Sequence, residues 1–150
     1  MNEKKRTKVY VIDDSLTFRA MMDTLVGQDD DLEICGMAAD AETALEDIDW
    51  LQPDIILLDQ TLPDMDSLEF LDALKQHWQG SRVVMIALAG ADGMHACQMA
   101  LDKGVVACFD KSRLIRNSRE FITLMDEIRG GEIHPDWHAG KAVTLGGSAA

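Results

Sequence analysis

Three strand-like apolar runs end in residues whose types suit one another chemically. Asp13 and Asp14 follow the run at residues 9–12, Asp59 follows residues 55–58, and Lys111 follows residues 105–109 and Asp110. Carboxylates that converge at one edge repel each other unless a cation sits among them. Hard oxygen donors with room for water suit Mg²⁺, or Mn²⁺ in its place. A Lys beside the metal supplies a point charge for an anion. A carboxylate nucleophile, a divalent ion and an ammonium are together the parts of a phosphoryl-accepting site. Taken singly, each residue has a plainer reading: an Asp at a strand end caps a turn, and a Lys there is solvated. The chemistry rests on the combination at three separate run ends. Neither G-x-x-x-x-G-K-[ST] nor G-x-G-x-x-G occurs, so a nucleotide cradle is not supported.

Positioning these residues together requires a particular scaffold. Near-continuous Val, Ile, Leu and Met runs at residues 8–12, 54–58, 82–88 and 105–109, with a weaker one at 32–37, read as strands covered on both faces. Amphipathic stretches alternate with them. The spacing predicts helices over about residues 16–26 (capped by Ser15), 42–51, 67–78 (capped by Asp66), 92–103 (closed by Gly104) and 118–129. Asn117 with Glu120 suggests a capping box for the last. The order is (βα)5, which implies an α/β, doubly wound parallel sheet with helices on both faces. Ligands bind such sheets beyond the carboxyl ends of the strands, at the switch point of strand order. Met residues in the helical stripes read as core.

The chain has 150 residues, with 14 Lys and Arg against 27 Asp and Glu, a net charge of −13. Such acidity argues against nucleic acid as the main partner. It fits a cation or a basic protein surface. The N-terminal arm, residues 1–6, is basic, but the apolar run after it is too short for a signal peptide. No stretch approaches a membrane span, so a cytoplasmic location is expected. Cys35, Cys97 and Cys108 are odd in number and form no C-x-x-C pair, which reads as three reduced core thiols. Residues 130–150 are rich in glycine and weakly periodic, which reads as a flexible tail with no output domain. His134, Asp136 and His138 form an H-x-D-x-H pattern there, a weak metal signal.

Over residues 7–129 the sequence resembles a response-regulator receiver domain of two-component signalling. The matching residues are Val11-Ile12-Asp13-Asp14-Ser15, Ile55-Ile56-Leu57-Leu58-Asp59 with Pro63-Asp64-Met65-Asp66, and Phe109-Asp110-Lys111. Leu32-Glu33-Ile34-Cys35-Gly36, Pro53-Asp54-Ile55 and Leu68-Glu69-Phe70-Leu71 look like the receiver half of chemotaxis methylesterase regulators. The resemblance implies a flavodoxin-like five-stranded sheet of order 2-1-3-4-5. It implies that Asp59 takes a phosphoryl group from a sensor histidine kinase or histidine phosphotransfer protein. Asp13, Asp14 and Asp59, with the backbone carbonyl of Thr61, would hold Mg²⁺, and Lys111 would pair with the phosphoryl group. The protein would then be a stand-alone phosphoacceptor, at most catalysing its own aspartyl phosphorylation and dephosphorylation. Signals would leave through contacts with a downstream protein or a second copy. Lys111, Arg113, Arg116 and Arg119 cluster near the face of the fourth helix, fifth strand and fifth helix, a common partner surface in receivers. The alternative for the arginines is a solvated face.

Four positions depart from the family pattern. The switch Thr or Ser at the end of strand four falls on Ala87, and the coupled aromatic falls on Cys108. Phe109 is adjacent but should face the opposite way. Ser112 replaces the Pro after the Lys; without proline a cis bond costs roughly 2.5–4 kcal/mol, so a trans bond is expected. Ser67 replaces a Gly. These departures keep a second reading open: a degenerate receiver that acts as a phosphorylation-independent binding module. A phosphatase with an Asp nucleophile would want a second Asp where Thr61 stands.

Overall fold

The apolar runs become the strands of one parallel sheet in the computed structural model, which describes residues 5–131 and the backbone of residues 143–144. The elements are β1 (Thr7–Ile12), α1 (Leu16–Gly27), β2 (Leu32–Ala38), α2 (Ala41–Leu51), β3 (Ile55–Asp59), α3 (Ser67–Leu74), β4 (Arg82–Ala87), α4 (Ala91–Asp102), β5 (Ala107–Asp110), α5 (Lys111–Arg116), α6 (Ser118–Arg129) and β6 (Val143–Thr144). The strand order is β2-β1-β3-β4-β5-β6, all pairs parallel. The first five strands carry the expected 2-1-3-4-5 order, and the order reverses between β1 and β3. That reversal opens the crevice beyond Ile12 and Asp59.

Alternation along each strand feeds two cores. Tyr10, Ile12, Ile56, Leu58, Met85 and Cys108 face α2, α3 and α4. Val9, Val11, Leu57, Ile86 and Phe109 face α1, α5 and α6. Phe109 thus points away from Cys108, as alternation requires, and its ring meets Phe121 edge to face at 5.5 Å. Both faces are covered, so strands with no polar alternation are stable.

The local signals act as written at several ends. Ser15 accepts from the Phe18 N–H at 3.2 Å, and Asp66 accepts from the Leu68 N–H at 2.7 Å. Gly104 takes φ +101°, the left-handed value that closes α4. Among the described residues every peptide bond is trans, that of Lys111 to Ser112 included.

Four expectations need correction. The third helix stops at Leu74 rather than near Trp78. Its last turn tightens through i→i−3 bonds at Gln76 and His77, and the Trp78 indole N–H donates to the Pro53 carbonyl at 2.9 Å. Asn117 makes no backbone cap; its amide donates instead to the Glu120 carboxylate at 3.3 Å. The short β6 lies beside β5; the rest of the expected tail beyond residue 131, His134, Asp136 and His138 included, lies outside the described residues, as do residues 1–4. Cys97 and Cys108 are not separate thiols but a disulfide. Helix α4 packs on β4 and β5, which sets these two Cα atoms 6.1 Å apart, within disulfide reach. Only Cys35 among them is free.

The fourth correction is an extra helix. Lys111 opens α5 rather than ending β5. Ser112 stands where the resemblance expects a proline, which has no N–H to give. Ser112 keeps its N–H and donates it to Asp110 Oδ1 at 3.0 Å, while its hydroxyl donates to the same oxygen at 2.9 Å. Asp110 is thereby a helix cap, fully buried at the sheet end. Asp110→Ala should lower stability by about 1–2 kcal/mol in urea unfolding. A loss under about 0.5 kcal/mol would mean that the cap does not hold α5.

Candidate functional site

The sheet brings Asp13, Asp14, Asp59 and Lys111 to one crevice. Asp13 follows β1 and is fixed from several sides. Its N–H donates to the Ala38 carbonyl at 3.0 Å. Its carboxylate accepts from the Ser15 N–H at 2.8 Å and from Lys111 Nζ at 2.8 Å. Its carbonyl accepts from Arg19 Nη1 at 2.7 Å. Only 1% of Asp13 is exposed. Asp14, the next residue, is exposed to solvent. Asp59 ends β3 and is 6% exposed. Its Oδ1 accepts from the Thr61 N–H at a long 3.4 Å, and its Oδ2 lies 3.9 Å from Lys111 Nζ. The Lys111 ammonium also stands 4.5 Å over the Phe18 ring, a cation–π contact that steadies a half-buried charge.

Lys111 therefore sits closer to Asp13 than to Asp59. One ammonium faces three carboxylates, which leaves two negative charges uncompensated. The consequence appears at Asp59. Burial raises its pKa to about 6, the Asp13 charge and then Asp14 add to the rise, and Lys111 and the Thr61 N–H offset part of it. Carboxylate oxygens of Asp13, Asp14 and Asp59 all lie within 4.8 Å of one another. An all-oxygen set with two surplus negative charges, open to water at Asp14, fits a hard divalent cation of the Mg²⁺ kind.

Other residues fix the rim, and sequence reasoning missed their roles. The Gln60 N–H donates to the Ile86 carbonyl at 2.9 Å, and its side-chain Oε1 accepts from the Leu88 N–H at 2.9 Å. The loop after β4 is thus fastened to the residue next to Asp59. The Ser67 hydroxyl lies 2.9 Å from the Asp59 carbonyl and 2.5 Å from that of Gln60. Ser67, where the resemblance expects a Gly, therefore adds a donor beneath the end of β3. Asp64 in the loop after β3 accepts from the Ala41 and Glu42 N–H groups at 2.9 and 3.0 Å. Those bonds lower its pKa and hold the loop on the α2 N-terminus. The one available signal was position: Gln60 and Ser67 flank Asp59 and the first turn of α3.

The atypical positions are also placed. Ala87 ends β4, fully buried, and no hydroxyl stands there. Cys108 is buried beneath α4 in the disulfide. The arginines lie apart from the crevice. Arg113 pairs with Glu120 at 3.0 Å, Arg116 donates to the Ser112 carbonyl at 3.3 Å, and Arg116 and Arg119 are exposed.

A family described as the response regulator receiver domain matches residues 9–119. A protein-glutamate methylesterase/protein-glutamine glutaminase of Vibrio vulnificus is 39% identical over 107 residues, covering 71% of this chain and 31% of that protein. Its namesake from Nitrosomonas europaea is 37% identical over 127 residues, covering 84% and 35%. The chain spans about a third of the length of these curated relatives. The response regulator domain of Thermotoga maritima CheB matches with a TM-score of 0.73 at 25% identity, covering 84% of this chain and 96% of that one. A LuxR-family response regulator from Aurantimonas has a TM-score of 0.76 at 21% identity over 90% of this chain and 96% of that one, a likeness of fold alone. Among the described residues no helix is long and apolar enough to cross a membrane.

The crowding at Asp59 has a measurable cost. A carboxyl whose folded pKa is raised is stable below its unfolded pKa, near 4, and loses that stability as pH climbs through about 6. With a chelator present, Asp59→Asn should therefore stabilise the protein by about 1–3 kcal/mol at pH 8 and by almost nothing at pH 4. Urea unfolding at the two pH values measures this. A loss of stability at pH 8 would show that the carboxylate is held favourably instead.

Proposed function

Because this chain belongs to the response regulator receiver domain family, we propose that Asp59 accepts a phosphoryl group. The donor is a phosphohistidine of a sensor histidine kinase or a histidine phosphotransfer protein. The observation that supports this most is the Lys111 ammonium, 2.8 Å from Asp13 and 3.9 Å from Asp59 at the switch point of the sheet. Asp59 is ionised at neutral pH, since its pKa is about 6. An Asp59 oxygen attacks phosphorus, an O–P bond forms, and the N–P bond of the phosphoimidazole breaks. The imidazole leaves with the bonding pair and takes up a proton from solvent. Lys111 shifts its charge from Asp13 towards the incoming phosphoryl oxygens, and Asp13 and Phe18 hold it ready to do so.

Asp13, Asp14 and Asp59, with the Thr61 carbonyl, would hold Mg²⁺. When bound, that ion neutralises charge on the carboxylates and the phosphoryl oxygens. Signals then leave through protein contacts on the face of α4, β5 and α6. Exposed Arg116 and Arg119 offer that face positive charge for a downstream partner or a second copy. The methylesterase activity printed for the relatives is a property of those longer proteins.

One observation favours a second reading, a binding module indifferent to phosphorylation: Ala87 gives β4 no hydroxyl for a phosphoryl oxygen. Acetyl phosphate with Mg²⁺ separates the two. Intact-mass measurement should show one added phosphoryl group, lost in Asp59→Asn and slowed about 100-fold or more in Lys111→Ala, since removing one donor to developing transition-state charge costs ~2.7–4 kcal/mol. Folded protein that gains no mass would overturn the phosphoacceptor reading and leave the module. Ala87→Ser should enlarge the phosphorylation-dependent NMR shifts in β4 and β5. An unchanged response would show that the missing hydroxyl does not limit the switch.

A further inference from the structure

Cys97 and Cys108 occupy the place where the fold joins its output face to its site. Cys97 lies on the inward side of α4 and Cys108 on β5 beneath it, both fully buried. Cys108 stands three residues before Lys111 on the strand whose end, Asp110, caps α5. It is register-paired with Met85, two residues before Ala87. At the start of α4, Gly90 takes φ +118° with no side-chain cap, and before it the Leu88 N–H is held by Gln60 Oε1 at 2.9 Å while the residue stays 54% exposed. Ala87 offers no polar contact there. The sulfur link is thus a covalent tie between α4 and the strand that carries Lys111.

The pair lies in an apolar core cluster. Two reduced thiols are small apolar residues among apolar neighbours. The Cys97 carbonyl lies 3.8 Å from Cys108 Sγ, so a reduced Cys108 has an acceptor for its S–H in place. The third thiol does not compete. Cys35 lies on β2, and burial raises its pKa to about 11, which leaves it protonated and unreactive at neutral pH.

We propose that Cys97 and Cys108 are a reversible dithiol–disulfide pair, and that its redox state sets how firmly α4 is held on β5. The partner reagent is a small disulfide such as oxidised glutathione. One Cys thiolate attacks a glutathione sulfur, a protein–glutathione S–S bond forms, and the glutathione S–S bond breaks to release one glutathione thiolate. The second Cys thiolate attacks the protein sulfur of that mixed disulfide and releases the second glutathione. The two protons shed by the cysteines pass to the two glutathiones. The cysteines are oxidised by two electrons and glutathione disulfide is reduced by two. Access to the buried sulfurs runs through local opening of the first half of α4. The output face of α4, β5 and α6 then answers to thiol redox state, whether or not Asp59 is phosphorylated.

The full chain is equilibrated in glutathione buffers of varied ratio, trapped by alkylation and weighed by mass spectrometry. Amide hydrogen exchange is read on both end states. The expected result is joint loss of two thiols at the oxidised end, with full return of both on dithiothreitol under native conditions. Cys35, alkylated once the trapped protein is unfolded, should count as one thiol throughout. Exchange in α4 should be about tenfold or more slower in the oxidised protein, as a short cross-linked loop restrains opening, with β1 and β3 unaffected. Cys97→Ala should abolish the joint loss and make α4 exchange equal at both ends of the ratio. The proposal is overturned by cysteines that oxidise independently, by a disulfide that native reduction does not open, or by equal α4 exchange in the two states of the unmodified chain. The acetyl phosphate measurement is unaffected by any of these outcomes.

Discussion

Three carboxylates crowded beside one ammonium govern the design of this molecule. Opposite charges 4 Å apart attract by about 4 kcal/mol at an effective dielectric near 20, and like charges repel on the same scale. Lys111 can balance one carboxylate, and it leans on Asp13 at 2.8 Å rather than on Asp59 at 3.9 Å. Asp59 is left buried and under-compensated, and its pKa rises to about 6. A site so arranged is unfavourable until something positive, or something that recruits the ammonium, arrives. The same imbalance that costs stability supplies the attraction for a cation and the readiness of Lys111 to move.

Much of the surrounding structure keeps that imbalance in place. The parallel register of β1 and β3 sets Asp13 and Asp59 side by side at the point where strand order reverses. Asp110 and Ser112 start α5 at Lys111, so the ammonium is presented from a helix end rather than from a loose strand end. Gln60 and Ser67 tie the segment after Asp59 to β4 and to α3. Asp64 ties the following loop to α2. These are hydrogen bonds between polar side chains and backbone groups, the kind that lock loops without a large core. A disulfide adds a covalent tie between α4 and β5.

The sheet, its strand order and the identity of the crevice residues were legible because each rests on a local pattern. Unbroken apolar runs mark doubly covered strands, and the residues that end them can be read off directly. Ser15, Asp66 and Gly104 announced their helix ends in the same way. What escaped reading depends on pairs distant in sequence. The Cys97–Cys108 bond needs the packing of α4 on β5, which no spacing rule reveals, so an odd cysteine count pointed to thiols. The short α3 end depends on Trp78 finding the Pro53 carbonyl. The extra helix at Lys111 was visible in principle, since Ser112 restores an N–H that proline lacks, yet only the buried Asp110 carboxylate gives that N–H a partner. Lys111 itself was anticipated at the site, but its preference for Asp13 is a matter of ångströms.

The central claim is that Lys111 is held by Asp13 in order to be released to a group on Asp59. The most direct measurement is a crystal structure of the protein with beryllofluoride and Mg²⁺. The account predicts beryllofluoride on an Asp59 oxygen, with Lys111 Nζ within hydrogen-bond distance of a fluorine and farther from Asp13 than 2.8 Å. Beryllofluoride on Asp59 with Lys111 still seated on Asp13, or well-ordered crystals with Asp59 bare, would contradict it.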